Sequence, residues 1–498
     1  MQDGRSKFTA EGASKFSNHD LLPIPQEKRN WNRYNFATVW MGMIHNIPTY
    51  ATAGGLVAMG LSPWAAIAAI MVGSLVLYGA LALNGHAGAK YGLPFPVLIR
   101  TSFGVIGANI PAVLRAFVAI MWFGIQTFAG SSALMVLLVN IWPGWAHLGG
   151  SFNLLGLSLP GLLSFLVFWL ANVLFLNHGM ESIRKMEIFA GPLVYVVFIG
   201  LVIWAIRAAH GLGPIYSQTG SFHNFGSAFM PFVTAVTGII GIWATLVLNV
   251  VDFTRFAAKQ REQVFGQLLG LPGTFFLFAF ASITVSSGAK VAFGQVLWDP
   301  VQILAHFHNP IVILLSVVTL CMAAVSTNLA ANIVSPAYDL ANLFPKWIDF
   351  RRGAYLSAIL SIFTLPWKLM QYSASIFAFL GTIGGLLGPV AGIMFADYFV
   401  FRKRTIAVAE LYTMHGRYAY YKGFNYRAFV ATLIGALVSL IGQFDPSLRA
   451  LYDVSWFIGV GVAFFGYVTL MRLHPPADIS VPDLVVPESK VSVDTLEI

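Results

Sequence analysis

The chain is written as a succession of apolar runs, most about twenty residues long, separated by short stretches where polar and charged residues gather. A helix needs roughly 20 apolar residues to cross the ~30 Å hydrocarbon core of a bilayer. Runs that meet this requirement, or come close to it, fall at 34–59, 63–84, 104–141, 160–178, 188–208, 227–250, 265–288, 310–337, 354–369, 373–397, 427–444 and 454–472. They are continuously apolar and lack the period-two alternation of an outer-membrane strand, which excludes a transmembrane barrel. The pattern predicts an all-α polytopic membrane protein of about twelve transmembrane helices. Residues 1–33 are polar and carry neither the apolar segment nor the cleavage site of a signal peptide, so they are expected to form a tail. The Pro-bearing polar stretch 473–498 reads as a second tail.

Composition agrees: 57% of the 498 residues are hydrophobic and 10% charged, against about 25% charged in a soluble domain. The single cysteine, Cys321, lies inside an apolar run, so no disulfide can form within one chain. Basic residues resist translocation and collect in cytoplasmic loops. With both termini placed in the cytoplasm, the outer loops keep only Arg207, Lys290, Lys368 and Arg449 of the 29 Lys and Arg residues, and Arg115 stands alone in the third span. The net charge of +9 therefore reports topology in the cytoplasmic membrane and contact with anionic lipid, and calls for no nucleic acid.

Polar residues at membrane depth are expensive and need a partner or a function. In the first span, VWMGMIHNIPTYATAGG sets His45, Asn46 and Pro48 mid-membrane; proline removes a backbone donor, which predicts a break between Asn46 and Thr49. The sixth span, TGIIGIWATLVLN, carries Gly238 and Gly241 just before Trp243, glycines that permit local unwinding or mark an ordinary kink in a packed helix. These spans each open a block of five, and paired interruptions at matching positions point to a transporter built from inverted repeats, spanning here 34–208 and 227–397, with two further helices at 427–472. In the third span Trp122 and Gln126 lie four residues apart on one helix face, an indole wall beside an amide, which suits a planar heterocycle with amide-like groups. The eighth span gathers Ser326, Thr327, Asn328 and Asn332 within two turns. Hydroxyl and carbonyl oxygens there could ligate a small hard cation, or bond back to their own helix. Asn332, flanked by Ala330 and Ala331, is the better placed asparagine for a solute.

No Asp, Glu, Lys or Arg falls near the centre of spans one, six or eight, so the expected cargo is neutral and polar. His45 is the midspan titratable group; it is read as a kink-associated histidine, with proton coupling as the alternative. A channel would carry a filter motif or rings of like charge, and an enzyme a nucleophile–base pair or a metal-spaced histidine cluster; the sequence displays neither set.

The segments LNGHAGAKYGLPFPVLIR (83–100), AIMWFGIQTFAGS (119–131), TGIIGIWATLVLN (237–249), ANIVSPAYD (331–339) and LGPVAGIMFADYF (387–399) resemble the nucleobase:cation symporter family 1, especially its bacterial allantoin-transporting branch, and the resemblance runs over essentially the whole chain. It implies a leucine-transporter-like fold, two inverted five-helix repeats followed by two additional helices, in a monomer that carries a small neutral heterocycle without a cofactor. By the same resemblance the ring lies between Trp122 and Trp243, and Asn46, Gln126 and Asn332 bond its amides. A sodium site is implied at the carbonyls of Gly42, His45 and Ala323 with the hydroxyls of Ser326 and Thr327. The hydantoin-transporting branch has Gln where this chain has Asn46, a shorter reach that fits a bulkier ligand. It has an apolar residue where this chain has His45, which leaves Na⁺ and H⁺ both open as the driving ion.

Overall fold

The computed structural model describes residues 15–476 apart from 177–194, 196–197, 223, 296, 298–299, 305, 307–308 and 371–372. The expected tails beyond 15 and 476, and the first part of the fifth span, lie outside the described residues. Among the described residues, eight helices are long and apolar enough to cross a membrane: Pro63–Tyr91, Asn109–Ile141, Gly226–Asn249, Gln260–Phe293, Pro310–Leu343, Ala378–Phe401, Tyr426–Gln443 and Ser455–Leu473. The shorter apolar helices Leu159–Phe175 and Phe198–Ala208 stand where the fourth and fifth spans were expected. The first and ninth spans are each made of two pieces, Arg33–Ile44 with Ile47–Ala58, and Phe350–Ile362 with Pro366–Leu369. In the ninth span the break falls at Leu365, whose φ of 49° lies in the left-handed region ahead of Pro366.

Two groups of helices form the body. The first span packs on the seventh, and the second lies against both the sixth and the seventh. The third packs on the fourth, the eighth and the ninth. Spans one and two thus associate with six and seven, and span three with eight and nine, the grouping that two intertwined repeats would give. The tenth, eleventh and twelfth spans pack on one another, and the tenth rests against the sixth.

Small residues let these helices approach. A Cβ on Gly241 would lie 2.9 Å from the Leu380 carbonyl oxygen, so the sixth and tenth spans touch through that glycine. The sixth span does not unwind at its glycines: the helix runs unbroken from Phe225 to Asn249, through Gly238 and Gly241. Gly241 serves close packing, and an intact turn is what presents its bare face. The third span begins at Asn109 rather than near 104, because Gly104 (φ 92°) turns the chain where a Cβ would meet the Gly423 carbonyl at 2.3 Å.

Residues 15–32 cross one face of the bundle. Asn18 donates to the Ile348 carbonyl (3.0 Å), Arg29 to those of Ile24 (2.8 Å) and Ala89 (2.9 Å), and Trp31 pairs with Ala257. Asn32 then opens the first span with a capping box shared with Asn35.

Candidate substrate and ion site

The first span breaks where proline demands it. Pro48 has no N–H to return to the Ile44 carbonyl, and the Asn46 backbone N–H takes that acceptor instead at 2.9 Å. Asn46 is the N-cap of the second half-helix: its Oδ1 accepts from the Thr49 N–H (2.9 Å) and hydroxyl (3.0 Å), while its Nδ2 donates to the Met43 carbonyl (2.6 Å). Both ends of the amide are thus engaged within the broken turn.

The Met43 carbonyl is shared with the eighth span. The Thr327 hydroxyl lies 3.1 Å from it and 2.9 Å from the Ala323 carbonyl, and a single hydroxyl proton can serve only one of them well. Ser326 is buried beside it, and Gly42 lies buried one residue before Met43. Carbonyl and hydroxyl oxygens therefore gather where the two spans meet, a donor set that suits a hard monovalent cation. The His45 ring turns the other way. Its Nδ1 is 3.3 Å from the Tyr50 hydroxyl, and it is walled by Tyr195 (4.3 Å between centroids), Phe198 (5.3 Å) and Phe278 (5.8 Å).

Across the eighth span, Asn328 to Ile333 wind as a π-helical turn. Pro336 cannot bond the Asn332 carbonyl and crowds it, which favours a widened turn just ahead. On this turn Asn332 Nδ2 donates to Asn328 Oδ1 at 3.0 Å. Asn328 Nδ2 in turn reaches the third span, at Thr127 Oγ1 (3.1 Å) and the Phe123 carbonyl (3.4 Å), the two residues that follow Trp122 and Gln126 in sequence. Gln126 Oε1, Trp122 Nε1 and Trp243 Nε1 are buried without a hydrogen-bond partner. Trp122 sits against Phe379 of the tenth span (5.8 Å) and Trp243 against Trp40 of the first (5.8 Å). Asn46, Trp122, Gln126, Trp243 and Asn332 are all at most 6% exposed, so the site is closed to bulk solvent in this conformation. A cavity of about 580 Å³ opens elsewhere, between the third span and the start of the fourth at Phe128, Met135 and Ser158, and touches none of these five.

Two turns before Trp122 on the third span, Arg115 is fully buried; its Nε donates to Asn249 Oδ1 (2.8 Å) and its Nη2 to the Ala331 carbonyl (3.2 Å). Asp252, which the sequence places beside Arg255, instead accepts from the Ser335 hydroxyl (2.6 Å) and the Phe95 N–H (2.7 Å). Arg255 turns to the carbonyls of Leu22 (2.6 Å), Asp20 and Gly92 (both 3.2 Å). Sequence reasoning missed Asn172, Thr127 and Thr49, which bond the candidate residues Asn328 and Asn46. Its one available signal for Asn172 was a lone amide inside the apolar run FLVFWLANVLF.

A broken first span, buried amides and indoles on spans one, three, six and eight, and a hydroxyl–carbonyl contact between spans one and eight fit a secondary transporter of the leucine-transporter-like fold. Residues 23–459 match the family model for permeases of cytosine/purines, uracil, thiamine and allantoin, and the chain belongs to that family. It is 63% identical over 475 residues to the allantoin permease of Bacillus subtilis, covering 95% of this chain and 97% of the relative. Among solved structures it is similar to Mhp1, a nucleobase-cation-symport-1 family transporter, in a closed conformation with bromovinylhydantoin bound, with a TM-score of 0.78 at 26% identity over 92% of this chain and 96% of that one. The inward-facing conformation of Mhp1 gives 0.74 at 26% identity, over 93% and 94%.

Proposed function

We propose that this transporter imports allantoin, a neutral hydantoin ring bearing a ureido arm, across the cytoplasmic membrane by cation-coupled alternating access, with both termini in the cytoplasm and the monomer as the working unit. The observation that carries the reading is the 63% identity, over nearly the whole of both chains, to a relative named as an allantoin permease. A family transporter with a hydantoin in its closed state supports the ring as the recognised element.

The solute enters from outside and stacks between Trp122 and Trp243. Gln126 and Asn332 bond its amides, and Asn46 joins them by yielding its bond to the Met43 carbonyl. The group of spans one, two, six and seven then rocks against three, four, eight and nine, with the glycine-rich tenth span (FLGTIGGLLGPVAG, 379–392) as outer gate. The driving ion is Na⁺ or H⁺. Na⁺ would sit among the carbonyls of Gly42, His45 and Ala323 and the hydroxyls of Ser326 and Thr327, where its binding draws the first and eighth spans together.

The test is uptake of labelled allantoin in cells expressing the protein, with hydantoin, uracil and cytosine as competitors, repeated with choline in place of Na⁺ and with a protonophore. Saturable uptake, blocked best by unlabelled allantoin and lost in Gln126→Ala and Asn332→Ala proteins that reach the membrane, supports cargo and site together. Uptake of a nucleobase in place of allantoin removes the cargo, and failure of every ring compound removes the reading.

A further inference from the structure

The Asn332 side chain does not stand alone. It ends a chain of amides that begins on the fourth span, a helix none of whose side chains the transport reading uses. Asn172 is fully buried, and its Nδ2 donates to the Phe168 carbonyl one turn back at 2.8 Å. That bond fixes which way the amide faces and leaves Oδ1 as its outward atom. Asn328 Nδ2 donates to this oxygen at 3.1 Å. The other acceptors around Asn328 Nδ2 agree with this orientation: Thr127 Oγ1 has committed its proton to the Phe123 carbonyl at 2.7 Å, and so meets Asn328 as an acceptor. With its nitrogen thus engaged, Asn328 can only turn Oδ1 toward Asn332, and Asn332 Nδ2 donates to it at 3.0 Å.

Every step points the same way. A backbone carbonyl on the fourth span orients Asn172, Asn172 orients Asn328, and Asn328 orients Asn332, whose Oδ1 is left over at the end. An amide in water or in a loose pocket presents either end with similar ease, because its oxygen and nitrogen are nearly the same size. Here each flip would set two N–H groups or two carbonyls against each other in a buried, low-dielectric setting, where an unmatched polar group is costly.

We propose that Asn172, acting through Asn328, is a positioning residue that holds Asn332 with its carbonyl toward the solute, so that the site reads a ring N–H at that point and rejects an N-alkylated ring. The inference rests on the reading of Asn332 as a solute-binding residue, and the single Asn332→Ala protein tests that reading by itself. Thr127 supports the same relay from the third span.

The experiment is equilibrium binding of labelled allantoin to purified protein, with Asn172→Leu, Asn332→Ala and the double variant forming a cycle. Asn172→Leu is expected to raise Kd about tenfold in the wild-type background and less than twofold in the Asn332→Ala background, since the relay then has nothing left to orient. In cells, KM rises with it while the maximal rate per inserted molecule stays within about twofold. Hydantoin and its N-methyl derivatives, as competitors, should lose their difference in potency in Asn172→Leu. Equal losses in both backgrounds overturn the relay, because Asn172 would then act on packing alone, as does no loss in the wild-type background. If Asn332→Ala leaves Kd unchanged, the reading of Asn332 falls and the relay with it. Should Asn172→Leu fail to insert, Thr127→Val carries the same cycle: it leaves Asn172 in place, and a smaller loss confined to the Asn332 background supports the relay while an additive loss opposes it.

Discussion

The Thr327 hydroxyl lies 3.1 Å from the Met43 carbonyl oxygen, so the eighth span reaches the first at the last turn before it breaks. This contact is one of those that join the two helix groups that alternating access must move against each other, and it lies at the proposed ion site.

Removing that hydroxyl should therefore uncouple before it unfolds. Thr327→Val keeps shape and burial but loses the oxygen, whereas Thr327→Ser keeps it. Uptake measured against external Na⁺ and pH should need at least about tenfold more of the driving ion in the valine protein, a loss of roughly 1.4 kcal/mol, and nearly normal amounts in the serine protein. An unchanged ion requirement in Thr327→Val would remove the hydroxyl from the coupling site.

Asn46 caps a half-helix and also bonds the Met43 carbonyl, and the two roles can be separated. Asn46→Ala loses both and should lower stability by about 1–2 kcal/mol, read as a lower Tm in detergent. Asn46→Asp keeps the oxygen that caps Thr49 but has no amide donor for Met43. It should recover much of the Tm without recovering uptake, and recovery of both would show that the cap is all that Asn46 supplies.

Ser335 donates to the buried Asp252 carboxylate at 2.6 Å, tying the end of the sixth span to the eighth. Ser335→Ala leaves that oxygen without its partner in a buried position, a loss of about 1–3 kcal/mol. Thermal unfolding in detergent should show it, and the Asp252→Asn, Ser335→Ala pair should be non-additive because both report one contact.

Outside the membrane, in the segment between the tenth and eleventh spans, Glu410 and Arg417 form a compact ion pair at 2.9 Å. Partial burial raises the Glu410 carboxyl, but hydrogen bonds from the Arg417 side chain and backbone, with the positive charge of that residue, outweigh it and hold the carboxyl below its ordinary 4.5. A depressed carboxylate stabilises the fold fully above its unfolded value and ceases to as pH falls through the folded one. The Tm should therefore drop more steeply below about pH 4.5 in the wild type than in Glu410→Gln, and parallel curves would exclude this pair as a contributor.

The sequence alone located the long apolar helices, because hydropathy and length are properties of a segment and the lipid imposes both. It also determined the break just ahead of Pro48, since a missing N–H breaks the helix whatever surrounds it, and it singled out Trp122, Gln126, Asn46 and Asn332 as polar or flat groups at depth. What each polar group bonds to was decided by tertiary structure. Asn328 and Asn172 are 156 residues apart, and nothing local marks them as partners. Asp252 stands three residues from Arg255 in the chain yet bonds Ser335, because the helix end turns the carboxylate inward and the guanidinium toward the carbonyls of residues 20–22. The glycines of the sixth span read equally well as a hinge or as a packing face, and only the neighbour at Leu380 chose between them. Burial forces every donor to find an acceptor, but which acceptor is within reach depends on how the helices cross, and that is a property of the assembled molecule.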